Sequence, residues 1–305
     1  MNKNEIFDKT FHDFQQKKLQ RILDAKIYLN SCYDVPEILE LSNKLGELKI
    51  EIAKKERDGK DCENLNALVK TTKNQLVNLI QESGKDINKI LPKFDCPICK
   101  DSGVVDNKIC DCLDREYKNR LLEIANMKLD KHPTLEDLDL SVYQDCQEKT
   151  KLIEILLNLD KTKINTILFS GATGTGKTFI AKSLLKSMIL KNNYGLGKSS
   201  FEVNNYFYNV NYDFKGDKSL TELIEPDVLL IDDLGAENMI NNVTKEYLLI
   251  LLNARQDKNK LTIFTSNLTL NDLRIKYNER FFSRLVCKEI SLKYNFTGKD
   301  LRILN

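Results

Sequence analysis

The sequence predicts an α/β fold, a parallel sheet flanked by helices, with an N-terminal α-helical hairpin region and a small zinc-type ribbon ahead of it. Three observations carry this. Gly171-Ala172-Thr173-Gly174-Thr175-Gly176-Lys177-Thr178 lies between a short apolar run, Thr166 to Ser170, and an apolar helical pattern, Phe179 to Leu190, and so reads as strand, glycine turn and helix. Val228-Leu229-Leu230-Ile231 is a second apolar run, ending in Asp232-Asp233, and Leu261 to Asn267 is a third. Continuous rather than alternating apolar runs mark strands buried on both faces, as in parallel sheets. Upstream, four cysteines cluster between Cys96 and Cys112.

From Glu5 to Tyr28, the residues Phe7, Phe11, Phe14, Leu19 and Ile22 recur at helical spacing in a charged background, the pattern of an amphipathic helix. After Pro36, Leu41, Leu45, Leu48 and Ile52 repeat it until the turn signal Asp58-Gly59-Lys60-Asp61. Leu65, Leu68, Leu76, Leu79 and Ile80, with Thr72 between them, carry it on to Gly84. Two stripes joined by a short turn predict an αα-hairpin of coiled-coil character. Such stripes either pack on each other and on the rest of the chain, or offer a face to another protein.

Cys96-Pro97-Ile98-Cys99 and Cys110-Asp111-Cys112 bring together four of the eight cysteines. A zinc ion takes about four thiolate or imidazole ligands in a tetrahedron, and C-x-x-C supplies two from one knuckle. Asp101-Ser102-Gly103 supplies turn residues and Val104-Val105 a short strand between the knuckles. A redox-active C-x-x-C is the rival reading, but it lacks βαβ surroundings and leaves Cys110 and Cys112 without a role. Neither His12 nor His132 lies inside the cluster, so an all-cysteine site for structural Zn²⁺ is expected at Cys96, Cys99, Cys110 and Cys112. Cadmium or iron would satisfy the same thiolates. Cys32, Cys62, Cys146 and Cys287 are scattered and read as ordinary thiols.

Asp114 to Asp130, with Arg115, Lys118, Arg120 and Lys128, reads as a linking helix, and Lys149 to Leu159 as the helix that leads into the first strand. The expected domains are a helical region 1–92, a ribbon 93–113, a linker helix 114–135 and an α/β domain 136–305. Between Asn192 and Lys218 the chain is polar and glycine-containing, and Phe201, Tyr206, Phe207, Tyr208 and Val210 suggest one strand there.

The glycine loop fits the phosphate-binding pattern G-x-x-x-x-G-K-[ST]. Its glycines let backbone N–H groups point at an oligophosphate, and the positive end of the following helix adds to the attraction. Lys177 would reach the β- and γ-phosphates, and the Thr178 hydroxyl would help to hold Mg²⁺. A glycine-rich turn without a ligand is the bland alternative, and the strand and helix on either side argue against it. Asp232 and Asp233 end a buried strand where ligands bind in open α/β sheets. Asp232 would hold Mg²⁺, directly or through water, and Asp233 would orient or deprotonate the attacking water. Two such acids can also serve as an N-cap and turn. Asn267, at the end of the next strand, could reach the γ-phosphate or that water. Arg280 and Arg284 stand four apart on one predicted helix, and a guanidinium fork pairs well with phosphate oxygens.

These residues together resemble AAA+ P-loop NTPases, and among them the DnaC/DnaI-type replicative helicase loaders and the related IstB-like transposition ATPases. The likeness rests on the P-loop, Leu230-Ile231-Asp232-Asp233-Leu234-Gly235-Ala236-Glu237, Thr265-Ser266-Asn267, Glu279-Arg280-Phe281-Phe282-Ser283-Arg284-Leu285 and Gly298-Lys299-Asp300-Leu301-Arg302. It covers roughly Glu136 to the C-terminus, and the cysteine segment and helical N-terminus resemble the loader side of the family. The resemblance implies that Asn267 is sensor 1, that Arg284 is an arginine finger offered to a neighbouring subunit with Arg280 as the alternate, and that Arg302 is sensor 2 at the nucleotide. It implies ATP, Mg²⁺ and Zn²⁺ as cofactors, and an ATPase that loads a hexameric replicative DNA helicase onto single-stranded DNA and self-associates through AAA+ interfaces. The second acid is Asp233 where the broad family has Glu, about one methylene farther from the water, so slow hydrolysis suits the sequence. A transposase helper acting on duplex DNA is the alternative, and an adaptor that binds ATP without hydrolysing it is a third.

Composition sets the bounds on these readings. Lys and Arg number 47 against 45 Asp and Glu, a formal charge of +2, so any nucleic-acid contact must come from a local patch. No apolar run approaches the roughly 18 residues that span a membrane. The polar start Met1-Asn2-Lys3-Asn4-Glu5 leads into no apolar signal region, and a cytoplasmic protein is expected.

Overall fold

The computed structural model describes residues 2–127, 132–143, 145–213, 216 and 219–303. The chain forms two compact units, one of Thr10–Asp114 and one of Met1–Lys9 with Arg115–Asn305.

The smaller unit holds most of helix α1 (Lys3–Cys32), then α2 (Pro36–Arg57) and α3 (Glu63–Glu82). α2 begins with Pro at its first position, where the missing N–H costs nothing. α2 and α3 pack on each other as the expected hairpin, with Leu48 and Thr72 buried between the two stripes. The core around the hairpin base is small: Cys32, Ile38 and Ile80, with Tyr28, Tyr33, Val35, Leu76 and Leu79 around them. Leu19 and Ile22 of the amphipathic pattern are exposed, together with Leu23 and Ile27. The four lie on one helical face, so α1 keeps an apolar stripe uncovered. The ribbon follows, with β1 (Val104–Val105) paired antiparallel to β2 (Lys108–Ile109). Asp106 and Asn107 both take positive φ (48° and 61°), as a two-residue hairpin turn requires.

Helix α4 (Asp111–Ile124) corrects the expected linker helix. It starts inside the cysteine motif, so that Cys112 lies in its first turn, and it ends before Ala125. Asp111 and Asp114 favour the positive end of that first turn. Lys128 and Asp130 lie outside the described residues.

The larger unit is a five-stranded parallel sheet flanked by helices. Its strands are β3 (Thr166–Gly171), β4 (Gly195–Ser199), β5 (Val228–Asp232), β6 (Leu261–Ser266) and β7 (Ser291–Phe296), in the order β4-β5-β6-β3-β7. Side chains alternate between two cores. Ile167, Phe169, Leu230 and Ile263 face α5 (Cys146–Leu157) and α6 (Lys177–Leu190), where Leu156, Ile180, Leu184 and Leu185 are buried. Leu168, Leu229, Ile231 and Phe264 face the other side, packed with Phe207, Leu248, Leu252 and Phe281. Both faces being covered explains the unbroken apolar runs.

The segment expected to hold a strand at Phe201 to Val210 is instead helix α7 (Ser200–Asn211), and the strand, β4, comes just before it. Ser199 and Glu202 form a capping box that starts α7, and Val203 and Phe207 at i, i+4 bury its inner face. Lys218 lies outside the described residues. Remaining helices are α8 (Thr221–Ile224), α9 (Thr244–Asp257), α10 (Leu270–Tyr277) and α11 (Glu279–Leu285). Arg255 of α9 is fully buried, and its guanidinium donates to the carbonyls of Leu223 (3.0 Å), Pro226 (2.8 Å) and Leu261 (2.5 Å) and to Thr262 Oγ1 (2.8 Å). It ties α8 and the entrance of β5 to β6, and burial brings its pKa down to about 9. Among the described residues no helix is long and apolar enough to cross a membrane.

Candidate nucleotide site and cysteine cluster

The chain leaves β3 for the far edge strand β4 and returns at the end to β7, on β3's other side. Such a reversal opens a crevice at the C-terminal ends of the strands. β6 lies between β5 and β3, so the polar ends of all three, Asp232-Asp233, Ser266-Asn267 and the glycine loop, meet there. A cavity of about 740 Å³ occupies the place, within the usual range for small-molecule sites. Its walls include Thr173, Gly174, Gly176, Lys177, Thr178, Asp233, Asn267 and Arg302.

The loop geometry explains its glycines. Gly174 and Gly176 have φ of 77° and 94°, and a Cβ on either would meet Asp300 Oδ1 at 1.8 Å or the Tyr143 hydroxyl at 2.5 Å. Gly176 caps α6, so the unpaired N–H groups of that helix's first turn open at the cavity. Thr175 is buried, and its hydroxyl donates to Ala172 O at 2.8 Å. Gly171 approaches the backbone of Phe296, 2.2 Å from where a Cβ would stand. Lys177 Nζ donates to Gly171 O (2.8 Å) and Ala172 O (2.6 Å), which parks the ammonium at the loop mouth, and burial lowers its pKa.

Asp232 Oδ1 accepts from Thr178 Oγ1 at 2.8 Å and from Thr265 Oγ1 at 2.6 Å. Adjacent oxygen ligands of an octahedral Mg²⁺ at about 2.1 Å lie about 3.0 Å apart, so Thr178 and Asp232 fit neighbouring corners of such a shell. Thr265 Oγ1 also accepts from Asp233 N–H at 2.9 Å, which fixes the turn where Asp233 takes a left-handed φ of 57°. Partial burial and the adjacent Asp232 charge raise the Asp233 carboxyl above its ordinary pKa. Asn267 is exposed at the cavity wall, and Leu301 N–H bonds Gly174 O at 2.9 Å, bringing Arg302 to the same wall. Arg280 and Arg284 are exposed on α11 and do not line the cavity.

Val142, Tyr143, Phe179 and Leu301 complete the walls, and sequence reasoning assigned none of them to the site. Tyr143 is held from behind by Lys149, which is fully buried, pairs with Asp145 at 2.6 Å, and lies 5.3 Å from the Tyr143 ring and 4.6 Å from that of Phe296. Burial first, then the Asp145 charge, pushes the Tyr143 hydroxyl up to about 12. A polar Thr265 at the end of an apolar run was the one visible signal for its bond to Asp232.

In the smaller unit the four ligand sulfurs of Cys96, Cys99, Cys110 and Cys112 lie within 4.8 Å of one another. The Cys96–Cys110 pair is 3.8 Å apart and the Cys99–Cys112 pair 3.4 Å. A tetrahedral Zn²⁺ with bonds of about 2.3 Å requires sulfurs about 3.8 Å apart, so the set fits that ion. Burial raises the Cys99 thiol, but the Gly103 N–H at 3.3 Å and the neighbouring sulfurs outweigh it and bring it to about 7. Asp101, almost fully buried, accepts from Cys96 N–H (2.8 Å), Asp95 N–H (3.1 Å) and Arg21 Nη1 (2.6 Å). Gln15 Nε2 donates to Ser102 O at 2.6 Å. α1 thus braces the first knuckle, as outer-shell groups do around metal ligands.

Residues 104–283 match the family of IstB-like ATP binding proteins. No curated protein sequence is significantly similar to the chain. Among solved structures, the chain is similar to one of DnaI (22% identity, 59% of this chain and 93% of that one, TM-score 0.45) and one of the DnaC helicase loader (20%, 53% and 98%, TM-score 0.45). An AMPPCP-bound DnaA from Aquifex aeolicus is similar at 20% identity over 56% of this chain and 53% of that one, with a TM-score of 0.45. These likenesses are too loose to bear on function. The family match spans more than half of the chain, across the P-loop, both acids, Asn267 and Arg280, and it makes the chain a member of the IstB-like ATP-binding family.

Proposed function

We propose that this chain is a slow ATPase that loads a hexameric replicative helicase onto single-stranded DNA in the cytoplasm. The observation that carries the reading is the pairing of an ATP-binding fold with a second compact unit that leaves Leu19, Ile22, Leu23 and Ile27 exposed along one face of α1. A stripe of that kind suits the docking of a partner protein. In this reading the helical region 1–92 and the ribbon 93–113, set by Zn²⁺, grip the helicase, and the segment from 136 onward holds the nucleotide.

Lys177 moves from its two carbonyls to the β- and γ-phosphates, while the N–H groups of the loop and of the α6 first turn orient them. Thr178 and Asp232 would hold Mg²⁺, which when bound would neutralise charge on the phosphates. Asp233 accepts the proton of the attacking water, Asn267 positions that water or the γ-phosphate, and Arg302 contacts the nucleotide within the same chain. Arg280 and Arg284, exposed and outside the cavity, would serve a neighbouring copy. The exposed rings of Phe201 and Tyr208 on α7, and of Tyr212 just past its end, offer stacking faces for single-stranded bases.

Capture of the host's replicative helicase by the full chain with ATP present tests the reading. Leu23→Asp with Ile27→Asp is expected to abolish capture without changing ATP affinity. The family match favours a second reading, an ATPase assisting a transposase. Capture of a transposase and duplex DNA, with no binding of the helicase, would move the assignment there.

A further inference from the structure

Glu237 and Tyr277 form a buried polar link that nucleotide binding does not call for. Glu237 is 4% exposed and Tyr277 fully buried. The Tyr277 hydroxyl donates to Glu237 Oε1, and Gly235 N–H donates to Oε2 at 2.9 Å. Burying a carboxylate is costly even when it is well bonded, and an apolar pair of similar volume would hold two elements together at least as well. A link that keeps its polarity here points to a role beyond packing.

One end of it grips the turn that starts at Asp233. Gly235 sits at φ 104°, where a Cβ would come within 2.5 Å of Leu268 Cδ1. Leu234 N–H bonds Thr265 O at 2.7 Å, and Ser266 Oγ bonds Leu234 O at 2.5 Å, so the turn is fastened to the end of β6 as well. The other end grips the corner between α10 and α11. Tyr277 is the last residue of α10, and Asn278 beside it has a φ of 111° and accepts from Phe281 N–H at 2.9 Å to start α11. Lys276 Nζ donates to Gly235 O at 2.5 Å, a second strut parallel to the first. The rings of Tyr277 and Phe281 lie 5.3 Å apart. The acid turn and the corner that aims α11 are therefore tied directly to each other.

We propose that Glu237 and Tyr277 are positioning residues that couple the acid pair at the end of β5 to α11, so that nucleotide at the P-loop resets how Arg280 and Arg284 are presented to a neighbouring copy. The inference rests on the P-loop cavity being the ATP site. Asp232 would hold Mg²⁺ and Asp233 would face the γ-phosphate, so a bound nucleotide would bear on both acids. The left-handed backbone at Asp233 and Gly235 passes the shift to Glu237, and the hydroxyl of Tyr277 passes it to the corner. Such coupling needs a physical element that both sites bias, and this link supplies one.

Hydrogen–deuterium exchange of the full chain, with and without Mg²⁺ and a non-hydrolysable ATP analogue, tests it. In the wild type, nucleotide is expected to change exchange both at 171–178 and at 279–285. Tyr277→Phe keeps the ring and its packing, and is expected to retain the first response, with affinity for the analogue within about twofold, and to lose most of the second. Glu237→Gln should behave alike. In steady-state hydrolysis each variant should lower kcat by about tenfold with little change in KM, and Tyr277→Phe should add nothing to Arg284→Ala, since both act through one helix. A full response at 279–285 in both variants, or a wild type that responds only at 171–178, overturns the coupling. Absence of any response at 171–178 in the wild type overturns the ATP-site reading itself, so the two failures are told apart.

Discussion

In the larger unit the candidate side chains stand at the ends of strands buried on both faces, while in the smaller unit the four cysteines stand on a turn, beside a two-stranded hairpin and in the first turn of α4, in a unit whose own apolar cluster is the small one around Cys32, Ile38 and Ile80. The P-loop, Asp232 and Asn267 inherit their positions from a sheet that would exist without a ligand. The four cysteines have no such platform. They are held by Asp101, Arg21 and the short β1–β2 hairpin, and a bound metal is what would make that arrangement rigid. The larger unit would thus be folded ahead of its ligand, whereas the ribbon at 93–113 would depend on a metal for its order. Removing each ligand should have opposite consequences in the two.

Metal removal should give the largest effect. Structural zinc supplies about 10 kcal/mol or more to small folds, so chelation, or Cys99→Ser, is expected to open 93–113 to protease while ATP affinity in the larger unit stays within about twofold. Loss of ATP binding on chelation would break the comparison. Arg255→Leu probes the sheet instead. It strips the donors from four buried oxygens and should cost about 3 kcal/mol or more, read as a lower midpoint in denaturant, with zinc retained.

Asp233→Asn should lower kcat by about a hundredfold or more and leave nucleotide affinity nearly unchanged. The pH profile sharpens this. Asp233 accepts a proton only when ionised, and burial with the Asp232 charge raises its pKa, so kcat should fall as pH drops through a value above the ordinary carboxylate of about 3.9. Asp233→Asn should remove that acid limb. Smallest of the set, Tyr208→Ala should weaken single-stranded DNA binding by about tenfold, measured by fluorescence anisotropy.

The sequence was legible where one residue type has one physical use. Glycines at left-handed positions, acids at the end of an apolar run and paired cysteines announce the P-loop, β5 and the metal-type cluster. β4 was hidden because Gly195 and Gly197 replace the expected branched residues. Leu185 and Ile189 side chains would lie 2.7 Å from a Cβ on Gly195, so the strand is glycine-bearing to let α6 approach. Its neighbour α7 did carry a signal, Ser199 and Glu202 at capping-box spacing, which aromatic content masked. β7 escaped notice as a half-exposed edge with polar residues. Tyr143 joins the site only through the fold, since its place depends on Lys149, Phe296 and Gly176 meeting from distant parts of the chain.

Native mass spectrometry of freshly purified chain with Mg²⁺ and ATP tests the division of labour most directly. A zinc ion and a nucleotide should appear together on each chain. A chelator should remove only the metal, and Lys177→Ala only the nucleotide. Protein that carries no zinc when fresh, or Lys177→Ala that keeps its ATP, would contradict the account.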